Sequence, residues 1–167
     1  MKLLKGLQLF LLAAWVGAAL FFSAVVAPAV FSILRAFGLS NANEIAGALV
    51  TRTLAVVNIS GVVVGLILIA MVLVLCRDSD RRSFLPALVS AIVLAGATGV
   101  GEWVIAARMR ALRAAMVLPI DQVPIADPRR IVFNELHGYS VAALSIAMIA
   151  ALVAFVSIAY RAQSNTS

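Results

Sequence analysis

The chain has 167 residues, of which 64% are hydrophobic and 12% charged, with a net charge of +6 and one cysteine. A soluble globular chain is about 45–50% apolar and about 25% charged, so this much apolar surface calls for lipid rather than water. Cys76 alone excludes an internal disulfide and any CxxC metal or redox motif, and the basic residues sit at the ends of apolar runs, which marks membrane flanks and not a nucleic-acid surface.

Four apolar runs, Leu7–Leu34, Leu54–Cys76, Leu85–Ala107 and Tyr139–Tyr160, each reach the roughly 20 residues needed to cross a hydrocarbon core of about 30 Å. The first opens with MKLLKG. Its apolar stretch exceeds the 7–15 residues of a signal-peptide core, which predicts a retained helix; cleavage near FSAVVAPA is the alternative. This helix spans about 3–37, with Gly38 placed to end it as the residue after the C-cap. Pro28 removes one helix hydrogen bond and frees the carbonyl of Ala24, so a kink is expected there.

The second helix follows SNANEIAG, where Asn41 as N-cap and Glu44 at N3 form a capping-box pattern, and covers about 42–76. The third covers about 85–117, starting near Pro86 and running through ARMRALRAAM. The prolines of LPIDQVPIA make Leu118–Ala126 a loop. In ADPRR, Asp127 is an N-cap and Pro128 the first helical residue, so the fourth helix covers about 128–161. At 1.5 Å per residue, helices of 30–35 residues are about 50 Å long and outrun the bilayer. The expected fold is a single-domain, all-α membrane protein: a four-helix up-down-up-down transmembrane bundle. Its collar, Pro28–Leu54 and Ala107–Gly138, projects on the side opposite the termini.

Small residues four apart let helices approach closely in lipid. Gly61 and Gly65 carry this spacing in the second helix, and Ala91, Ala95 and Gly99 in the third. Ala13 and Gly17 do so in the first helix, and Ala143 and Ala147 in the fourth. On the termini side lie Lys2, Lys5, Arg77, Arg81, Arg82 and Arg161; the collar side carries Arg35, Arg52, Arg108, Arg110, Arg113, Arg129 and Arg130. The short, charged termini-side flanks tip this near balance towards N-in and C-in.

Pro28, Asn58, Thr98, Glu102, His137 and Ser140 come to a similar depth near the collar-side edge of the apolar runs. Ionisable residues at that depth face the bundle interior or a water-filled cavity. Glu102 must therefore be neutral, paired or hydrated, and Arg52, Arg108 and His137 are the candidate partners. The group reads either as a ligand- or proton-accessible polar pocket or as a hydrated helix end with a structural ion pair. His137, the only histidine, shares a face with Phe133, Ser140 and Leu144, expected to point inward. It is either a cross-helix hydrogen-bonding residue or a ligand. A metal site needs several ligands, and no second histidine exists. No metal site and no cofactor are therefore expected, with haem held axially by His137, or a site shared between protomers, as the alternatives. Met109 and Met116 are seven apart on one face and read as an apolar collar seam, with copper ligation as the alternative. Arg110 and Arg113 read as a solvated face or as partners of lipid phosphate, Asp121 and Glu135. No nucleophile elbow, P-loop, GxGxxG or HExxH is present, and no catalytic residue is predicted.

Two stretches carry a family resemblance. WVGAALFFSAVVAPAVF (Trp15–Phe31) and FNELHGYS (Phe133–Ser140) resemble the first- and last-helix patterns of a bacterial family of unknown function related to eukaryotic transmembrane protein 205. The resemblance implies a four-helix integral membrane protein with no established activity, here in a bacterial inner membrane. More remotely the chain is similar to copper resistance protein D and to the haem-associated protoporphyrinogen oxidase group. Two functions follow. One is a non-enzymatic bundle that packs against lipid, membrane-protein partners or its own copies, as an accessory subunit. The other is a small-solute, proton or metal-linked transport protein, or a haem-associated redox protein, using the polar pocket. The first requires a filled bundle with apolar outer grooves. The second requires a cavity reaching His137 and Glu102.

Overall fold

Lipid offers no hydrogen-bond partners, so a chain this apolar must satisfy its backbone within itself. The computed structural model describes residues 2–75 and 81–163, and among them there is no strand. The elements are α1 (Lys2–Phe21), π1 (Phe22–Val26), α2 (Ala27–Ala36), α3 (Ala42–Leu75), α4 (Arg81–Gly99), π2 (Val100–Ala106), α5 (Ala107–Ala115) and α6 (Pro128–Gln163). They join into four spans: α1–π1–α2, α3, α4–π2–α5 and α6. Cys76 and Arg77, expected at the end of the second helix and its flank, lie outside the described residues.

Each of these four contains a segment of 32 to 34 residues that is long and apolar enough to cross a membrane. Only 28–39% of each span's most apolar stretch is buried inside the bundle, so most of that surface is left to lipid. The spans pack as a ring. The first and third each lie against the second and the fourth. The interior is filled: Leu12, Ala19, Leu94, Ala147 and Ala151 are fully buried, with Leu68 and Val72 beside them.

Two glycines make this packing possible. A Cβ on Gly65 would lie 2.8 Å from Ala95 Cβ and 3.0 Å from the Ala95 amide nitrogen. One on Gly61 would lie 2.6 Å from Thr98 Cγ2 and 2.9 Å from Trp15 Cζ2. Gly61 is therefore the point where three spans converge, and Trp15 Nε1 donates there to the Val57 carbonyl at 3.0 Å. The first-helix pair behaves differently from expectation. Ala13 and Gly17 are exposed, and nothing lies within 4 Å of a Cβ on Gly17. Their spacing is right, but they face away from the bundle.

The spans end where their chemistry requires. Gly38, with φ +66°, is the left-handed residue that closes α2, and its amide donates to the Arg35 carbonyl at 3.0 Å. Asp127 Oδ1 accepts the Arg129 amide at 2.8 Å and so caps α6. The start of α3 is built otherwise than the capping box predicts. The amides of Asn43 and Glu44 donate to Asp121, at 3.3 and 3.0 Å. Glu44 is thereby freed to accept Arg113 Nε at 2.6 Å and the Ile120 amide at 3.2 Å. Asp121 therefore does from the 116–127 loop what a local cap would do, and it does not pair with Arg110 or Arg113. The third span begins at Arg81, with Pro86 inside it. So near a helix start, the proline interrupts only the bond that would reach residue 82.

Gly65→Ala is expected to destabilise the protein by about 1–3 kcal/mol, the cost of overpacking, although alanine is the better helix former by about 1 kcal/mol. Gly17→Ala is expected to be neutral or stabilising. Thermal unfolding of the two variants in the same detergent compares them. The Arg129 side chain, followed by the Arg129 amide, holds the Asp127 carboxyl below its ordinary 3.8. A lowered folded-state value means stability that is present above 3.8 and lost as pH falls through the lowered value. Hydrogen exchange at the first turn of α6, corrected for intrinsic rates, should stay flat from neutral pH down to the carboxylate range and rise below it. Asp127→Asn should remove that rise.

Candidate functional site

The six polar or helix-breaking residues expected at one depth divide into two groups. Asn58 and Thr98 are buried where the second and third spans meet, and Glu102 is buried in π2 of the third span, which packs on both the second and the fourth. Pro28, His137 and Ser140 line an open cleft between the first and fourth. What separates them is the filled core.

In the buried group, Thr98 Oγ1 donates back to the Leu94 carbonyl at 2.8 Å, and the Asn58 side chain lies against Gly101, 3.4 Å from where a Cβ would sit. Glu102 pairs with Arg110, whose Nη1 is 3.0 Å from Oε1. None of the expected partners fills that role: Arg52, Arg108 and His137 are all exposed. The reason is geometric. In an unbroken α-helix, two turns close after about seven residues, which would set Met109 over Glu102. Glu102 lies in π2, where one i→i+5 turn takes an extra residue. The two turns then close after eight, and Arg110 falls on the same face. The pair joins a nearly buried carboxylate to a half-exposed guanidinium, with side-chain exposures of 8% and 50%.

A π segment also shapes the cleft. Pro28 has no amide to donate, and π1 lies immediately before it. There the Ala27 amide reaches back five residues to the Phe22 carbonyl. The proline's missing bond is thus absorbed by a wider turn. Serine and threonine hydroxyls elsewhere in the spans, such as those of Ser145 and Ser157, bond the carbonyl four residues back. The buried Ser23 Oγ, inside π1, has no partner.

The cleft has a volume of about 680 Å³, within the roughly 300–1,000 Å³ range of ligand sites. Its walls run from Phe22, Leu144 and Met148 to Arg35 and His137, with Val50 and Leu54 of α3 at its side. His137 is exposed, whereas Ser140 and Leu144 on the same face are buried. The expected inward face therefore points inward only from Ser140 onward. Arg35 lies over the Phe31 ring, 5.6 Å from its centroid. Sequence reasoning named Arg35 only as a flanking charge and missed Ser23 altogether. The Ala-Pro in helical sequence was the available signal for the latter, because a proline there leaves nearby groups without their usual partners. Among the described residues, no three His, Cys, Asp or Glu side chains gather as a metal-binding group.

Four membrane-length helices around a filled core define an integral membrane protein. The chain belongs to the family described as Domain of unknown function (DUF4149), which matches residues 10–117. The match takes in the first three spans and the Trp15–Phe31 stretch, and ends before α6. No curated protein and no solved structure matches the chain.

Removing Arg110 is expected to cost more than an exposed arginine would, because it leaves a buried carboxylate without its partner. Arg110→Ala should destabilise the protein by about 1–3 kcal/mol, with half-exposure of the guanidinium holding it towards the lower end. Glu102→Gln in the same background should restore part of the loss. A double-mutant cycle in detergent measures the coupling, and a coupling of zero would reduce the contact to a surface accident.

Proposed function

We propose that this is a non-enzymatic membrane bundle that acts by lateral contact with lipids or membrane-protein partners, as an accessory subunit. One observation carries the reading. Thr98 and Glu102 of the third span are partnered within the chain, and the 680 Å³ opening lies on the outside, between the first and fourth spans. A filled interior with an apolar outer groove suits binding from the side. The Trp15–Phe31 and Phe133–Ser140 resemblance to relatives of transmembrane protein 205 agrees with a protein whose role is not catalysis. We place it in a bacterial inner membrane with both termini inside, on the charges flanking the short termini-side segments.

A second reading, transport or haem-associated redox chemistry, draws on one specific feature. Pro28, His137 and Ser140 do share a cleft of ligand size, and an exposed imidazole on its wall is free to bind an axial position. Copper resistance protein D-like kinship would favour this reading.

Purification in a mild detergent separates the two. The lateral-contact reading expects no visible absorption band, no stoichiometric metal and a co-purifying lipid or protein. A Soret band that disappears in His137→Ala would establish the redox reading instead.

A further inference from the structure

The cleft's dimensions and charge point to a particular occupant, on the lateral-contact reading above. From Phe22 to Arg35 the first span rises about 20 Å at 1.5 Å per residue. That is close to one leaflet of a bilayer, about 15 Å of hydrocarbon plus its headgroup layer. The deep end is apolar, walled by Phe22, Leu54, Leu144 and Met148; the other end carries Arg35 and His137. Among the described residues Arg35 forms no ion pair, unlike Arg110, Arg113 and Arg129, and its side chain lies over the Phe31 ring. A partner helix that crossed the membrane would need a groove about 30 Å long. A lipid of one leaflet needs the length that is there.

We propose that the cleft holds a glycerophospholipid with an anionic headgroup. Its phosphate meets Arg35 and the His137 N–H, and its acyl chain lies along Phe22, Leu54, Leu144 and Met148. Charge selects the lipid, because a basic side chain near the membrane surface favours anionic over zwitterionic headgroups. The cleft determines where on the protein it sits.

The test uses the full chain reconstituted into bilayers of equal phosphatidylglycerol and phosphatidylcholine, extracted in mild detergent and examined by native mass spectrometry. Retention of one lipid with about a fivefold preference for phosphatidylglycerol is expected, the worth of one basic residue at the interface. Arg35→Gln should remove the preference and Arg35→Lys should keep it. Neither change touches the core, so folding is not at risk. Ala27→Phe, which adds bulk to the cleft wall, should lower retention of both lipids. Equal retention of the two lipids, or a preference that survives in Arg35→Gln, would overturn the proposal, as would displacement of the lipid by inorganic phosphate or a co-purified polypeptide cross-linking to the cleft. Those results leave the lateral-contact reading standing; a Soret band without bound lipid removes both.

Discussion

The close approach of the second and third spans is the contact on which the remaining structure depends. In lipid there is no hydrophobic effect between helices, so association rests on packing at short range. Gly65 brings the second span against the backbone of the third at Ala91 and Ala95, and Gly61 leaves room for the Thr98 and Trp15 side chains where a Cβ would clash. Once those helices are fixed, Trp15 can reach the Val57 carbonyl. Thr98 and Glu102 are enclosed, and the fourth span closes the ring over a core of leucine and alanine. The cleft is what this arrangement leaves open: the first span is held on the second by Gly61 and diverges from the fourth beyond Phe22.

Beyond the glycines, the chain uses its polar residues to tie the collar together, and it does so across long sequence distances. Glu44 at the start of α3, Arg113 at the end of α5 and Asp121 in the loop between the last two spans make one network. Each satisfies backbone groups that a helix end leaves unpaired. The loop is thereby part of the helix ends it touches, and the start of α3 is tied to the end of α5.

Much of this was legible in the sequence. The four apolar runs, the all-helical class, Asp127 as a cap, Gly38 as a terminator and Gly61 and Gly65 as packing residues all follow from composition and local spacing, because each depends on neighbours a few residues away. The misses share a cause. Asp121 capping α3 and Arg113 pairing with Glu44 join residues more than 65 apart, and no local pattern announces them. Arg110 as the partner of Glu102 is a local contact, but it obeys the period of a π turn, and a reading at 3.6 residues per turn looks one residue too early. Ala13 and Gly17 carry a packing spacing on a face that turned out to be the outside, and spacing alone does not say which side a stripe faces. For the same reason Glu102 and His137, level in the sequence, are on different walls of the molecule.

The two π segments have a consequence for how this fold tolerates change in chain length. A π turn is an α-helix with one residue inserted, and each residue of an α-helix turns the chain by about 100°. Removing a single residue from π2 would restore a regular helix and cost no backbone hydrogen bond locally. It would also rotate everything after it, carrying Arg113 a quarter-turn or more away from Glu44. The Glu44–Arg113 contact is therefore keyed to the part of the span before π2 by a count of residues. Single-residue deletions in Val100–Ala106 should be rare among relatives of this chain, and any that occur should be matched by a compensating insertion before Arg113.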